Sequence, residues 1–366
     1  MLKTTIFPGR YVQGPNSLNH LGKEIARLGD QALIVLDAFV MENLLERFKN
    51  SVEEAVTANF QKFNGECSEE EIQRLVQIGQ ESNCNIVVGI GGGKTHDTAK
   101  AVAHYLKVPT AIVPTIASTD APCSALSVIY TPDGQFDKYL FLTKNPDLVL
   151  VDTQVIAEAP ARFLVSGIGD ALATYFEAES CRVNHIGNMT GNLGSLTAYA
   201  LARLCLDTLL EYGLAAKVAC QAKVVTPALE KVVEANTLLS GIGFESGGLA
   251  SAHAIHNGLT ALEATHQYQH GEKVAIGVLA GMILTDRPPE EIDEIFDFCE
   301  AIGLPTTLAD IGLENVSDTD LMKVAELTCA DGETIHNEPM KVTPELVFNA
   351  LRTVDAWGKA RKNGLA

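Results

Sequence analysis

The run from Asn85 to Lys100, NIVVGIGGGKTHDTAK, constrains the fold of this chain more than any other stretch. An apolar segment rich in β-branched residues ends in glycines, and apolar residues then recur at i, i+3, i+4 and i+7 from Ala99. The run therefore predicts a strand, a tight glycine turn and an amphipathic helix. Because the first N–H groups of a helix lack backbone partners and lie at its positive end, this junction is typical of a phosphate-binding site.

Neither of two common phosphate-loop templates fits this run. A Walker A loop needs a glycine five residues before Gly93, and the chain has Val88 there. A G-x-G-x-x-G turn that begins at Gly89 needs a glycine at position 94, where the chain has Lys94. An ordinary tight turn between strand and helix is the alternative, but four glycines and a lysine at one junction favour a phosphate site. The run alone does not name the ligand.

Length and charge limit the class of protein. A chain of 366 residues predicts two domains, and a formal net charge of -19 argues against nucleic acid and anionic membranes as partners. No apolar run approaches the roughly 20 residues of a membrane helix, and the N-terminus shows no secretory pattern. Eight scattered cysteines without a C-x-x-C pair are typical of reduced, mostly buried thiols. These features predict a cytoplasmic protein.

The two halves of the chain differ in pattern. Apolar runs at 32–36, 85–91, 110–115 and 148–152 predict strands. A helix is predicted over 69–80 with Ser68 as its N-cap, and residues 127–142, which contain Asp133-Gly134, predict a hairpin. After residue 157 the strand signals disappear, and 3.6-residue periodicity predicts helices at 161–181, 188–213, 226–240, 246–262, 271–285, 289–302, 318–330 and 344–362. We therefore predict an α/β domain with a mainly parallel sheet (1–157) and an all-helical domain (158–366).

Residues that could bind a metal are concentrated in the helical half. Asp170 stands in the otherwise apolar sequence SGIGDALATYFEA, and four of the nine histidines (His253, His256, His266 and His270) fall within eighteen residues. A carboxylate and imidazoles suit zinc, with three protein ligands leaving a fourth position for substrate. A single histidine on an apolar helix is more often hydrogen-bonded in a core, but this concentration favours a metal site. Spacing does not decide which two histidines bind.

Taken together, these motifs closely resemble the polyol branch of the iron-type, metal-dependent alcohol dehydrogenase family. The resemblance covers nearly the whole chain and rests on long strings, namely PGRYVQG (8–14), GIGGGKTHDTAKA (89–101), PTIASTDAPCSALSVIYT (114–131), GIGDALATYFEA (167–178), GFESGGLASAHAIHNGLTAL (243–262) and HGEKVAIG (270–277). It implies a dehydroquinate synthase-like fold in which the α/β domain binds NAD and the helical domain holds one zinc ion. Asp170, His253 and His270 would be the metal ligands, and these three residues would also contact substrate.

The resemblance also implies a set of cofactor-binding residues. Gly92, Gly93 and Lys94 would contact the pyrophosphate of NAD. Asp37 would accept the adenosine ribose hydroxyls, which disfavours NADP because a carboxylate repels a 2′-phosphate. The rest of the cofactor path would be lined by Thr115, Ser118, Ser124, Leu126 and Tyr130. Five of these residues have a structural alternative: Asp37 as the N-cap of a following helix, Thr115 and Ser118 as turn residues, and Leu126 and Tyr130 as packing residues of the hairpin.

For the reaction, the resemblance implies reversible oxidation of glycerol to dihydroxyacetone, with related vicinal diols as further substrates. Asp120 would contact the substrate hydroxyls, and His256 would orient substrate or pass protons, while His266 would be a loop residue. Iron-type relatives carry a histidine four residues after the metal-binding aspartate, and here that position is Thr174. The departure favours a three-ligand zinc site over iron.

Alternatives from other classes remain at this stage. The same architecture serves 3-dehydroquinate synthase-like lyases and glycerol-1-phosphate dehydrogenase-like enzymes, but the two matched helical strings that contain Asp170 and His253 offer no lysine or arginine for a phosphate. A P-loop phosphotransferase and a non-catalytic nucleotide-binding module are further alternatives, disfavoured by the misplaced glycine and by the metal-binding residues. A homo-oligomer is predicted on general grounds, and the resemblance implies an octamer as the candidate state.

Overall fold

A parallel sheet organises the first part of the chain in this computed structural model, which describes residues 2–365. Its strands are β1 (Tyr11–Gly14), β2 (Gln31–Leu36), β3 (Thr57–Lys62), β4 (Ile86–Gly91), β5 (Thr110–Pro114) and β8 (Leu148–Asp152). They lie in the order β1-β8-β5-β4-β2-β3, and every neighbouring pair is parallel. The antiparallel hairpin of β6 (Leu126–Tyr130) and β7 (Phe136–Phe141) stands apart from this sheet.

Alternating side chains of the sheet enter two separate apolar clusters. Ile34 and Leu36 pack in one cluster with Phe48, and Leu33 and Val35 pack in the other with helix residues on the opposite face. Strands β4, β5 and β8 are buried along their whole length. A sheet covered on both faces explains why these strands are continuous apolar runs rather than alternating ones.

α-Helices make up most of the other regular structure of residues 2–365. Those that belong to the first part of the chain are α1 (Leu21–Ile25), α2 (Ala38–Asn43), α3 (Leu45–Glu53), α4 (Glu69–Glu81), α5 (Gly93–Leu106) and α6 (Thr153–Glu158). Those that follow are α7 (Ala161–Val183), α8 (Leu196–Gln221), α9 (Pro227–Glu234), α10 (Ser240–Gly247), α11 (Ser251–Leu259), α12 (His270–Leu284), α13 (Pro289–Ile302), α14 (Asp318–Thr328) and α15 (Pro344–Lys362). A π-helical turn, Ala235–Leu239, joins α9 to α10. Across residues 2–365, no helix has the length and apolarity needed to cross a membrane.

The chain divides into two compact units. One contains residues 6–160 and 219–241, and the other contains the N-terminal residues through Thr5, residues 161–218 and the chain from Ile242 onward. The segment 219–241, which the sequence assigned to the helical domain, therefore belongs with the sheet. Helix α9 packs against β1 and α6, and Gln13 Nε2 donates to the carbonyl of Glu230 at 2.9 Å. The helical periodicity of the sequence does not reveal these non-local contacts.

The structure confirms the predicted fold class, with a mainly parallel α/β part and a helical remainder. Helices α13 and α15 and strand β8 match their predicted ranges, and Ser68 caps α4 by accepting from the N–H of Glu71. The helix predicted at 188–213 is wrong at both ends, since α8 covers 196–221. The helix predicted at 246–262 is divided, because α10 ends at Gly247 and α11 begins at Ser251. Strands β1 and β3 were not predicted.

Candidate metal and nucleotide sites

Three residues from three helices form a possible metal-binding cluster in the helical unit. Asp170 lies in the middle of α7, His253 in the first turn of α11 and His270 at the first position of α12. The Nε2 atoms of His253 and His270 lie 3.3 and 3.1 Å from the same oxygen, Asp170 Oδ1. All three potential ligand atoms lie within 4.8 Å of one another, and Asp170 is buried. One carboxylate and two imidazoles on converging atoms are a donor set that suits zinc.

Close packing of two helices brings His270 against Asp170. A Cβ atom at Gly271 would lie 1.7 Å from the carbonyl oxygen of Ser166, and one at Gly169 would lie 2.3 Å from the carbonyl oxygen of Gly271. Only residues without a side chain allow α7 and α12 to approach this closely. The contact therefore places the start of α12, and with it His270, beside the middle of α7.

The charges around the cluster favour a cation. Burial by itself lowers the pKa of His253, but the carboxylates of Glu177 and Asp170 on its two sides raise that pKa well above its usual value. Burial would likewise raise the pKa of Asp170, and the neighbouring His270 and His253 instead hold it well below its usual range. The carboxylate is therefore ionised, and the site stabilises positive charge.

The other two histidines of this region, His256 and His266, are not among the three residues of the cluster. His256 Nε2 is 3.1 Å from His270 Nδ1, and His256 Nδ1 is 3.2 Å from Asn257 Oδ1. Burial, together with the charges of His270, Lys273 and His253, lowers the pKa of His256 well below its usual value, so its ring is neutral. His256 thus contacts a predicted ligand, and its role in proton transfer stays a prediction. His266 is exposed and bonds the Thr260 carbonyl in a loop.

A second candidate site lies in the α/β unit at the start of α5. A cavity of about 710 Å³ is lined by residues 37–39, 62–65 and 92–95. Gly92 is the N-cap of α5 and no side chain caps the helix. A Cβ at Gly93 would meet no atom within 4 Å, and one at Gly92 would meet only Ile116, at 3.8 Å. The cavity therefore offers uncovered first-turn N–H groups at the positive end of a helix, which fits a phosphate-bearing ligand.

The charged residues of this cavity have other contacts. Asp37 Oδ1 accepts from the N–H of Val40 at 2.8 Å, so the structural alternative for Asp37 as an N-cap of α2 is confirmed. Burial raises the pKa of Asp37, against the backbone N–H groups of Val40, Gly92 and Phe39. Lys94 Nζ pairs with Glu66 Oε2 at 2.6 Å and lies 5.0 Å from the centroid of the Tyr130 ring. The predicted roles of Asp37 at the ribose and Lys94 at the pyrophosphate remain predictions.

The remaining predicted residues lie on β6 and on the segment between β5 and β6. Thr115 donates its N–H to the Gly91 carbonyl at the end of β4, and Ser118 is half-buried. Asp120 Oδ2 accepts from Ser240 Oγ at 2.7 Å. Ser124 and Leu126 both contact the ammonium of Lys100, which is buried completely. This segment is therefore anchored to α5 by a residue that the sequence did not single out.

Two further acidic residues were missed. Glu66 pairs with Lys94, and Glu177 Oε2 lies 2.6 Å from His253 Nδ1. A signal for Glu177 was present, because Asp170 and Glu177 are the only acidic residues of 161–178 and stand seven positions apart, which is two turns along one helix face. No local pattern connects Glu66 with Lys94.

The fold and the site together define a class of protein. In this class, a glycine-rich turn follows a parallel strand, and one carboxylate and two histidines carried by helices form a cluster. The family model described as iron-containing alcohol dehydrogenase matches residues 8–153. The chain belongs to this family, since relatives align with it along its whole length.

Among those relatives, the glycerol dehydrogenase of Thermotoga maritima is 65% identical over 364 residues, which cover 99% of this chain and 100% of the relative. The glycerol dehydrogenase of Citrobacter freundii is 52% identical over 98% of this chain and 99% of its own length. The crystal structure of glycerol dehydrogenase from Schizosaccharomyces pombe superposes with a TM-score of 0.94 at 40% identity, covering 100% of this chain and 94% of that one.

Proposed function

We propose that this chain is an NAD- and zinc-dependent enzyme that oxidises glycerol to dihydroxyacetone, and also acts on related vicinal diols. The observation that carries the proposal is the cluster of Asp170, His253 and His270 in a chain 65% identical to a glycerol dehydrogenase. The absence of lysine and arginine from the two matched strings that contain Asp170 and His253 supports a neutral polyol over a phosphorylated substrate.

Asp170, His253 and His270 would hold zinc, and the glycine turn before α5 would hold NAD. When bound, zinc supplies a Lewis acid that lowers the pKa of a hydroxyl group, and NAD supplies the nicotinamide that accepts a hydride. The two histidines direct Nε2 toward Asp170, because the Nδ1 of each contacts another side chain. The ligand atoms are thus oriented before any ion binds.

The other residues bind, orient and transfer protons. First-turn N–H groups of α5 and Lys94 would bind the pyrophosphate, Asp37 would accept the ribose hydroxyls, and Thr115, Ser118, Ser124, Leu126 and Tyr130 would line the path of the cofactor. Asp120, held by Ser240, would accept a hydrogen bond from a substrate hydroxyl. The proton would leave through His256, whose ring is next to His270.

Metal removal tests this proposal directly. Glycerol and NAD are expected to give NADH absorbance with the purified protein, dialysis against EDTA to remove the activity, and zinc, but not magnesium, to restore it. Parallel reactions with 1,2-propanediol, 2,3-butanediol and glycerol phosphate rank the substrates. Full activity in protein shown to be metal-free would contradict the zinc role, and preference for glycerol phosphate would move the function to a phosphate-using relative.

Replacing Asp37 with asparagine separates its two roles. Asparagine caps helices about as well as aspartate, so the stability of α2 is retained. The loss of a charge-assisted hydrogen bond, worth about 1.5–3 kcal/mol, is expected to raise the KM for NAD roughly 10- to 100-fold and to reduce discrimination against NADP. Thr343→Ala, which removes the cap of α15, is the control that costs stability without changing KM. An unchanged KM in Asp37→Asn would leave Asp37 with capping alone.

We further propose that the protein is a cytoplasmic homo-oligomer, with an octamer as the candidate state. Light scattering during size-exclusion chromatography measures the mass of the assembly against the 39.2 kDa of one chain. A mass equal to one chain at micromolar concentration would contradict the oligomer.

A further inference from the structure

One buried carboxylate fixes both the backbone and the ring of His253. Glu177 Oε1 accepts the N–H groups of Ala250 and His253 at 2.9 and 3.0 Å, which are donors at the start of α11. The other oxygen, Oε2, lies 2.6 Å from His253 Nδ1. Glu177 is 1% exposed, so these contacts are made away from water and are not screened by it.

The imidazole of His253 bridges two carboxylates of the same helix face. Its Nε2 lies 3.3 Å from Asp170 Oδ1, and its Nδ1 faces Glu177, seven residues further along α7. A carboxylate has no proton to donate when ionised, so the short contact requires a hydrogen on Nδ1. In the neutral ring this leaves the lone pair on Nε2, which is the atom that points into the cluster.

We propose that Glu177 is a positioning residue that sets the metal affinity of the cluster by holding His253 in its ligating tautomer and orientation. This inference rests on the proposed function, because it assumes that Asp170, His253 and His270 bind a divalent metal. Carboxylates that accept from a metal-bound imidazole contribute 10- to 100-fold to affinity in proteins generally. Glu177 also holds the N-terminal turn of α11, so one group defines where the ligand lies and which nitrogen it presents.

Glutamine at position 177 tests this role with little change in shape. Its carbonyl oxygen still accepts the N–H groups of Ala250 and His253, so α11 keeps its capping contacts. Its NH₂ group faces Nδ1 and donates, so Nδ1 must accept and the ring hydrogen moves to Nε2. The variant therefore disfavours the ligating tautomer while it retains the packing.

Glu338 provides a matched control. It is 3% exposed, and its Oε1 accepts the N–H of Ser251 at 3.0 Å in the same turn of α11. No contact joins Glu338 to a histidine ring among the hydrogen bonds described for residues 2–365. Glu338→Gln therefore changes a second buried carboxylate at the same helix end without removing a hydrogen bond to His253.

The experiment measures zinc binding by metal-free full-length protein through competition with a chromophoric chelator, without turnover. We expect the zinc dissociation constant of Glu177→Gln to rise about 10- to 100-fold, and that of Glu338→Gln to stay close to that of the unchanged chain. Thermal unfolding of the metal-free proteins reports the structural contribution separately. Equal zinc affinity in Glu177→Gln and the unchanged chain would overturn the inference even if Glu177→Gln unfolds at a lower temperature.

Two further outcomes distinguish this inference from the proposed function. Failure of the unchanged chain to bind zinc would overturn both, whereas binding that is insensitive to Glu177 overturns the inference alone. If Glu177→Gln does not fold, Glu177→Asp takes its place. The shorter side chain keeps the charge but withdraws it from His253 Nδ1, so weaker zinc binding is again expected, and unchanged binding would contradict the inference.

Discussion

Asp170→Asn is expected to lose zinc and turnover together while the chain remains folded. Asp170 Oδ1 is the atom on which both histidine Nε2 atoms converge, and the neutral amide removes the charge that would offset a dication. Lewis-acid stabilisation by a metal is worth several kcal/mol, so kcat/KM for glycerol is expected to fall by at least about 10³-fold. Metal content by elemental analysis and NADH formation are measured on the same preparation.

The control for Asp170→Asn is a histidine of the same region. His266 is exposed and bonds the carbonyl of Thr260, so His266→Ala should retain both zinc and activity. Circular dichroism of Asp170→Asn verifies its helical content. One zinc ion per chain and unchanged kinetics in the asparagine variant would remove Asp170 from the metal site.

Among the proposed variants, Lys100→Met is expected to lower the free energy of unfolding most. The Lys100 ammonium is completely buried, lies 2.9 Å from Asp97 Oδ1 and 3.0 Å from the carbonyl of Ala121, and also contacts Ser124 and Leu126. Methionine fills the space but leaves the Asp97 carboxylate without its cation. Breaking a buried pair on one side costs about 3–5 kcal/mol, measurable as a lower urea midpoint.

Two further variants, one at an exposed lysine and one double variant, test whether the unpaired carboxylate causes the loss of stability in Lys100→Met. Lys138→Met removes a surface pair with Glu69 and is expected to cost at most about 1 kcal/mol. Asp97→Leu combined with Lys100→Met removes both charges and should recover part of the stability, because the unpaired charge is the main cost. A double variant no more stable than Lys100→Met would mean that the carbonyl contacts of Lys100 dominate instead.

Sequence patterns correctly predicted the strands and helices that are determined by neighbouring residues in the chain. The strand, turn and helix around Gly91–Gly93 follow from apolar periodicity and glycine placement, and the structure has β4 and α5 there. The start of α8 was misplaced because Asn188 makes non-local hydrogen bonds to the carbonyls of Thr4 and Ser246. Strand β3, TANFQK, was missed because it lies at the edge of the sheet and is half-exposed, so it lacks an apolar run.

In the candidate site, too, some features follow from the sequence and others only from the three-dimensional packing. The sequence singled out residue types that bind metals, but spacing left four histidines equivalent, and the resemblance to a family selected His253 and His270. In the structure these two converge on Asp170, whereas His256 lies on His270. That difference comes from the close approach of α7 and α12 at Gly169 and Gly271, which a one-dimensional pattern does not encode.

The pairing of β1 with β8 sets the order in which the chain can fold during synthesis. Tyr11 lies opposite Val149, so β1 has no partner until β8 has left the ribosome, and β5 has one open edge until then. Helix α9, whose Leu229, Val232 and Val233 are buried, packs against β1 and α6 later still. A recombinant fragment of residues 1–157 would therefore complete the sheet but expose the apolar surface that α9 covers. We therefore expect a soluble fragment of the α/β unit to need residues 219–241 as well, joined through a linker.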